Sequence, residues 1–260
     1  MLKYMEKYKI NEKDTKFIHN LFPTPTQRWN ELIKLFTFHV EKDFGYYYLA
    51  SVCARDIADT LQSCYHSYFE AIKEYLIEKK SKLNGENYER AAIHKMRYFL
   101  DYAIIALITT QNHLSSGYWH LYFKENQPLE FKYKSPKDIS KEINVLDSKS
   151  SFYNYIITIN KKPEFINLNE FRNTWLHRGI PIINGEYRFK RKKLWEENFH
   201  EGQIGLYKQK EGMYMVEYTE QSDNTVKNLI RRSSNLYKFT LENINTFIAE
   251  MEKEKSKIYQ

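Results

Sequence analysis

Arg172 and His177 are separated by four residues in the stretch Arg172-Asn173-Thr174-Trp175-Leu176-His177. A guanidinium keeps its charge and presents donors in a planar fork that fits phosphate oxygens. An imidazole exchanges its proton near neutral pH. Ten arginines and eight histidines make an Arg followed by a His at such spacing expected about once by chance, so the weight falls on the surroundings. Asn173 follows the arginine and the apolar Phe171 precedes it. Ile166-Asn167-Leu168-Asn169-Glu170-Phe171 reads as a helix start, with Asn167 as cap, Glu170 three residues on and Ile166 stapled to Phe171. Gly179 and Pro181 stop the helix, which is predicted from about Leu168 to Arg178. On it Leu168, Phe171 and Trp175 share a face, with Arg172 on its flank, and Asn173 and His177 lie one turn apart on the other side. Arg172 and His177 point about 140° apart on an ideal helix, so one helix does not aim both at one phosphate. Two copies facing across a two-fold axis do.

A second chemical feature follows the first. Arg188-Phe189-Lys190-Arg191-Lys192-Lys193, with Tyr187 and Trp195 nearby, is the densest basic cluster. Basic side chains interleaved with aromatics can track a phosphate backbone and stack on bases, although a solvated hairpin rim has the same composition. Arg178, Arg188, Lys190, Arg191, Lys192 and Lys193 are the candidate RNA-binding residues. Asp56 and Asp59 lie one helical turn apart, but no third ligand at helical spacing supports a metal site, and none is expected. Asp101 interrupts an apolar run and reads as a buried acid satisfied by an arginine of a neighbouring helix. His113 and His120 share a helix face without a Cys or acidic partner in sequence and read as helix surface or satisfied core. Cys53 and Cys64, roughly 16 Å apart along one helix, are too distant for a disulfide and read as buried free thiols.

The elements that must position these residues are helical. With 42% apolar residues and only 8 Gly and 6 Pro, the chain is expected to be mostly α: an antiparallel bundle with two long hairpin helices, a short motif helix, a small β-hairpin insertion and a long C-terminal helix. Residues 1–22 hold one short helix, and Pro23-Thr24-Pro25-Thr26 breaks the chain before a helix over about Gln27 to Asp43. The long pair spans about Tyr46 to Lys82 and Glu86 to Lys124, joined at Asn84-Gly85. Ser135-Pro136 caps a short helix to Leu146, and another helix covers Ser150 to Ile157. Partial alternation around Gly205 and Gly212 places the hairpin at about 183–220. Val226, Leu229, Ser233, Tyr237, Thr240, Ile244, Phe247 and Met251 mark a helix from Asn224 to Glu254. Residues 1–45 are read as an N-terminal helical segment packed on a domain of 46–260.

An Arg followed by Asn, then His, in a capped helix of a long-helix bundle, resembles the HEPN superfamily (higher eukaryotes and prokaryotes nucleotide-binding). The resemblance covers the architecture of roughly 46–255 and, in sequence, the Arg172 to His177 hexapeptide. Gly179 stands where some HEPN toxins carry a Tyr, and some forty residues separate the motif helix from the last one. The resemblance implies metal-independent RNA cleavage at a homodimer interface, by a toxin or an antiviral effector with an antitoxin or other regulatory protein as partner. His177 would transfer protons, Arg172 would bind the scissile phosphate, and Asn173 would orient His177 or donate to the phosphate. The products would carry a 2′,3′-cyclic phosphate and a 5′-OH. Two further readings are a non-catalytic HEPN-like module that binds RNA, a nucleotide or a protein, and a structural bundle in which Arg172 and His177 make local salt bridges or caps.

The charge of +7 suits a polyanionic partner or a lysine-rich surface equally. No phosphate loop, nucleophile elbow, zinc-type Cys pairing or dinucleotide fingerprint occurs, so no cofactor is expected. The longest apolar run, Tyr102 to Ile108, is too short to span a membrane, and the charged N-terminus is unlike a signal peptide. The expected setting is the cytoplasm.

Overall fold

Side-chain caps and prolines set the helix starts. Asn11 accepts from the Asp14 backbone amide while Asp14 accepts from that of Asn11, a reciprocal box that opens α1 (Glu12–Leu21). Past the Pro23 to Pro25 break, α2 runs Thr26–Thr37. The two long helices are α3 (Gly45–Leu83) and α4 (Arg90–Tyr122). Ser135 caps α5 (Pro136–Ser140), with Pro136 at a position whose missing N–H costs nothing. A 3₁₀ turn over Ile143–Val145 follows, so the helix expected to reach Leu146 ends at Ser140 and changes type. Ser150 caps α6 (Ser151–Lys161), and the chain then enters α7 (Pro163–His177) and later α8 (Val226–Ile258). The computed structural model describes residues 9–37, 45–84, 90–123, 133–177, 188–193, 206–209, 212–219 and 226–258.

The α7 boundary corrects the expected one. Lys162 is extended, as a residue before proline prefers to be, and Pro163 begins the helix. The Ile166 amide already bonds the Lys162 carbonyl at 3.1 Å. Asn167 therefore lies inside the helix rather than capping it, and Ile166 is 49% exposed, which leaves no staple onto Phe171.

The expected hairpin over about 183–220 falls largely outside the described residues. Within that span, β1 (Arg188–Lys193), β2 (Leu206–Gln209) and β3 (Gly212–Thr219) pair antiparallel in the order β1-β3-β2. Arg188 pairs with Thr219 and Leu206 with Met215.

Helices α3 and α4 pack against each other along most of their length. Tyr47, Ala50, Ala54, Ile57, Leu61, Cys64, Tyr68 and Ile72 form the inner stripe of α3, at the three-and-four spacing of one helix face. Helix α4 is different. From Thr110 to Leu121 every described residue except His113 is buried, because α3 covers one side while α6, α7 and α8 close the other. Several of its polar groups bond to side chains of neighbouring helices. Tyr155 Oη donates to Gln111 Oε1 at 3.0 Å, Gln111 Nε2 donates to Thr240 Oγ1, and Thr110 Oγ1 donates to Thr60 Oγ1 at 3.0 Å. Tyr118 lies between Phe152, with stacked rings 5.3 Å apart, and the edge-on ring of Phe247 at 5.2 Å.

The N-terminal helices are fastened to the same core. Phe22 stacks on Tyr68 at 4.2 Å, Ser234 Oγ donates to the Leu21 carbonyl at 2.8 Å, and Lys80 pairs with Asp14. Arg28 Nε donates to the Leu241 carbonyl at 3.3 Å.

At Gly117 three helices converge. A Cβ there would lie 2.7 Å from Phe247 Cζ and 3.2 Å from Cys53 Cβ. Alanine gains about 1 kcal/mol in helix propensity over glycine, whereas overpacking a tight site costs about 1–3 kcal/mol. Phe247 is fully buried and has nowhere to retreat, so the second effect should win. Gly117→Ala is expected to lower the urea midpoint, by a net of up to about 2 kcal/mol in stability; an unchanged or raised midpoint would show that the Phe247 ring yields.

Candidate functional site

Helix α7 docks through Phe165, Leu168, Phe171 and Thr174, each less than a tenth exposed. On an ideal helix these four span about 180°, and Arg172 falls inside that arc. Its position explains its state. Arg172 is half-buried, and its Nε is buried without a partner among the described residues. Nη1 donates to Asn173 Oδ1 at 3.1 Å. With one lone pair of that oxygen taken by the guanidinium, what the pair offers is mainly donors: the remaining guanidinium N–H groups and the Asn173 amide.

Tyr133, which feels the charge of Arg172, belongs to a polar group assembled from three other segments. Tyr133, just before α5, pairs through its hydroxyl with the Asn112 side chain of α4. Burial pushes the Tyr133 hydroxyl up, while the Asn112 bond and the charge of Arg172 pull it down. The Tyr133 and His113 rings meet edge to face, with centroids 5.2 Å apart. His113 Nδ1 stands 3.9 Å from Asp56 Oδ2 of α3, longer than a hydrogen bond, and has no other partner among the described residues. Arg55 holds the opposite carboxylate oxygen, with Nη2 at 2.8 Å and Nε at 3.1 Å from Asp56 Oδ1. Burial holds His113 below the ordinary imidazole value, against the pull of Asp56 and with a further push from Arg55.

The structure thus brings together Arg172 and Asn173 and links them, through Tyr133, to Asn112, His113 and Asp56. His177 closes the α7 backbone, but its side chain and that of Trp175 lie outside the described residues, as does Arg178. Arg188, Lys190, Arg191, Lys192 and Lys193 occupy β1, and their side chains also lie outside the described residues. Asp59 is exposed and makes no third member of an acidic site, and no group of three or more His, Cys, Asp or Glu among the described residues could hold a metal. Asp101 is held by Arg97 Nε at 2.9 and 2.8 Å. That arginine is on its own helix, one turn back, and not on a neighbouring one. Cys53 and Cys64 are buried free thiols. No helix among the described residues is long and apolar enough to cross a membrane.

The meeting of His113 with Asp56 is the feature that sequence reasoning missed. Each was visible as a polar residue on a long helix, but their pairing depends on the register between α3 and α4. The usable signal was Asn112-His113, two adjacent polar residues within a long helix that packs on another.

Among known proteins, no family model, no curated protein and no solved structure matches this chain.

His113 takes up a proton less readily folded than unfolded. Its contribution to stability is therefore complete above the ordinary imidazole value and is lost as the pH falls from there through the lowered folded value. Between about pH 7.5 and 5.5, the urea midpoint of the wild type should fall more than that of His113→Gln; parallel declines would show that His113 is equally protonated in both states.

Proposed function

We propose that this chain is a HEPN-like, metal-independent endoribonuclease that cuts RNA at a composite homodimer site, in the role of a toxin or antiviral effector. The observation that carries the reading is the donor-rich pair of Arg172 and Asn173, with the Asn173 oxygen turned onto the guanidinium at 3.1 Å. A patch rich in donors suits an anion, and a phosphodiester in flight toward its transition state accumulates negative charge there. His177 follows Arg172 by five positions and supplies proton transfer from the far end of α7. On an ideal helix the two point about 140° apart, which is why the site is assigned to two chains, with Arg172 from one and His177 from its partner. Arg178 and the β1 cations Arg188, Lys190, Arg191, Lys192 and Lys193 would hold the RNA on either side of the cut. Cleavage proceeds through the ribose 2′-OH to a 2′,3′-cyclic phosphate and a 5′-OH.

The half-burial of Arg172 also favours a second reading: a non-catalytic HEPN-like module that binds RNA, a nucleotide or a protein, with the arginine spent on docking α7. RNA binding without cleavage by the wild type would select it.

In EDTA, purified protein should cut RNA, and Arg172→Ala and His177→Ala should each slow cleavage about 100-fold or more. Cleavage that persists in both variants, or that needs added metal, refutes the mechanism. Mixing the two variants should restore activity, since one of the two sites in a mixed dimer then holds both residues; mixed dimers that stay inactive refute the shared site.

Replacing Arg188, Lys190, Arg191, Lys192 and Lys193 with Gln should weaken RNA binding and flatten its salt dependence, by about 0.7 in log K against log salt for each phosphate that is no longer neutralised. An unchanged slope removes β1 from the RNA path.

A further inference from the structure

Cleavage by 2′-OH attack without metal needs two proton transfers, one from the attacking oxygen and one to the leaving oxygen. The hexapeptide carries a single imidazole. Another imidazole, that of His113, is linked to Arg172 through Tyr133. His113 Nδ1 faces Asp56 Oδ2 across 3.9 Å, Asp56 is fixed from its other side by Arg55 at 2.8 Å, and the Tyr133 ring meets the imidazole edge to face at 5.2 Å. Tyr133 in turn feels the charge of Arg172 and is bonded to Asn112. With the ring proton drawn to the Nδ1 side by the carboxylate, Nε2 carries the free lone pair. Nδ1 has no hydrogen-bond partner among the described residues, and the side chain keeps 14% exposure.

We infer that His113, positioned by Asp56, is a second proton-transfer residue of the site built on Arg172 and takes the proton from the attacking ribose 2′-OH. This rests on the ribonuclease reading and fills the role that reading leaves open. The 2′-OH proton passes to His113 Nε2 as the O2′–P bond forms. The P–O5′ bond breaks, and the leaving oxygen takes a proton from His177. Nothing is oxidised or reduced, and exchange with water returns both imidazoles to their starting states. An imidazole that burial keeps neutral at pH 7 is in the form a base requires. The charged and titratable groups around it are Asp56 and Arg55 from α3, Tyr133 before α5 and, through Tyr133, Arg172 of α7. Cys53 lies nearby, but burial keeps its thiol protonated.

The test uses an RNA oligonucleotide with a single cleavable ribose linkage, in EDTA, beside the same oligonucleotide with sulfur in place of the leaving 5′-oxygen. The sulfur departs without a proton, so it rescues loss of a general acid and not loss of a general base. His113→Gln should slow both substrates about 100-fold without changing RNA affinity. His177→Ala should slow the oxygen substrate and recover on the sulfur one. Asp56→Asn, which leaves His113 in place, should move the acid limb of the kcat/KM profile to lower pH, because the carboxylate that raises the imidazole value is gone. His113→Gln at the wild-type rate, His113→Gln rescued by sulfur, or Asp56→Asn with an unmoved pH profile each overturns the inference. If His113→Gln folds poorly, the Asp56→Asn profile decides alone. A wild type that cuts no RNA overturns both this and the ribonuclease reading. Inactive Arg172→Ala and His177→Ala variants beside fully active His113→Gln and Asp56→Asn overturn this inference only.

Discussion

Gln111 must find partners in the middle of a bundle, and the rest of the core is arranged around that requirement. It sits on the enclosed stretch of α4, where an unmet amide would cost about 1–3 kcal/mol. Two helices answer it: Tyr155 of α6 donates to its oxygen, and Thr240 of α8 accepts from its nitrogen. Apolar packing alone would let α6 and α8 slide along α4 with little change in buried area. A hydrogen-bonded amide admits one register, so it selects among packings that the hydrophobic effect leaves nearly equal.

That register reaches the candidate site directly. Asn112 and His113 follow Gln111 in sequence and emerge on the adjoining side of α4, where Tyr133 and Asp56 meet them. Fixing the rotation of α4 for the sake of Gln111 therefore also fixes where the imidazole points. Helix α7 also packs on α4, with Arg172 half-buried. The site is thus an extension of the core's polar seam, and it lies where three helices and the segment before α5 come together.

The long helices were legible because their apolar residues repeat at three and four over many turns, a pattern no strand can share. The Ser135-Pro136 start was equally plain, since cap and proline act within one turn. Local signals misled at α7. Asn167 and Glu170 have the types and spacing of a cap, yet Pro163 four residues earlier had already begun the helix, and a start already made leaves later caps unused. The orientation of Arg172 was legible only as a flank position, because the width of the buried arc is set by what α7 packs on. The juxtaposition of His113 with Asp56, and the bond from Arg97 to Asp101 within one helix, depend on which rotamer each long side chain takes among several near neighbours. Sequence spacing allows these pairs without choosing them.

Lys162 alone separates α6 from α7, and that economy has a consequence for change over time. Phe152, Tyr155, Ile156 and Ile159 seat α6 on the core, and Phe165 resumes burial in the first turn of α7. Between these anchors and Arg172 there is no slack loop to absorb an extra residue. An insertion or deletion inside α7 before Arg172 would turn the guanidinium by about 100° per residue. The stretch from Ser151 to Arg172 can therefore drift in composition on its outer face while its length stays frozen, so indels in descendants of this chain should collect in the long connections and spare this corner.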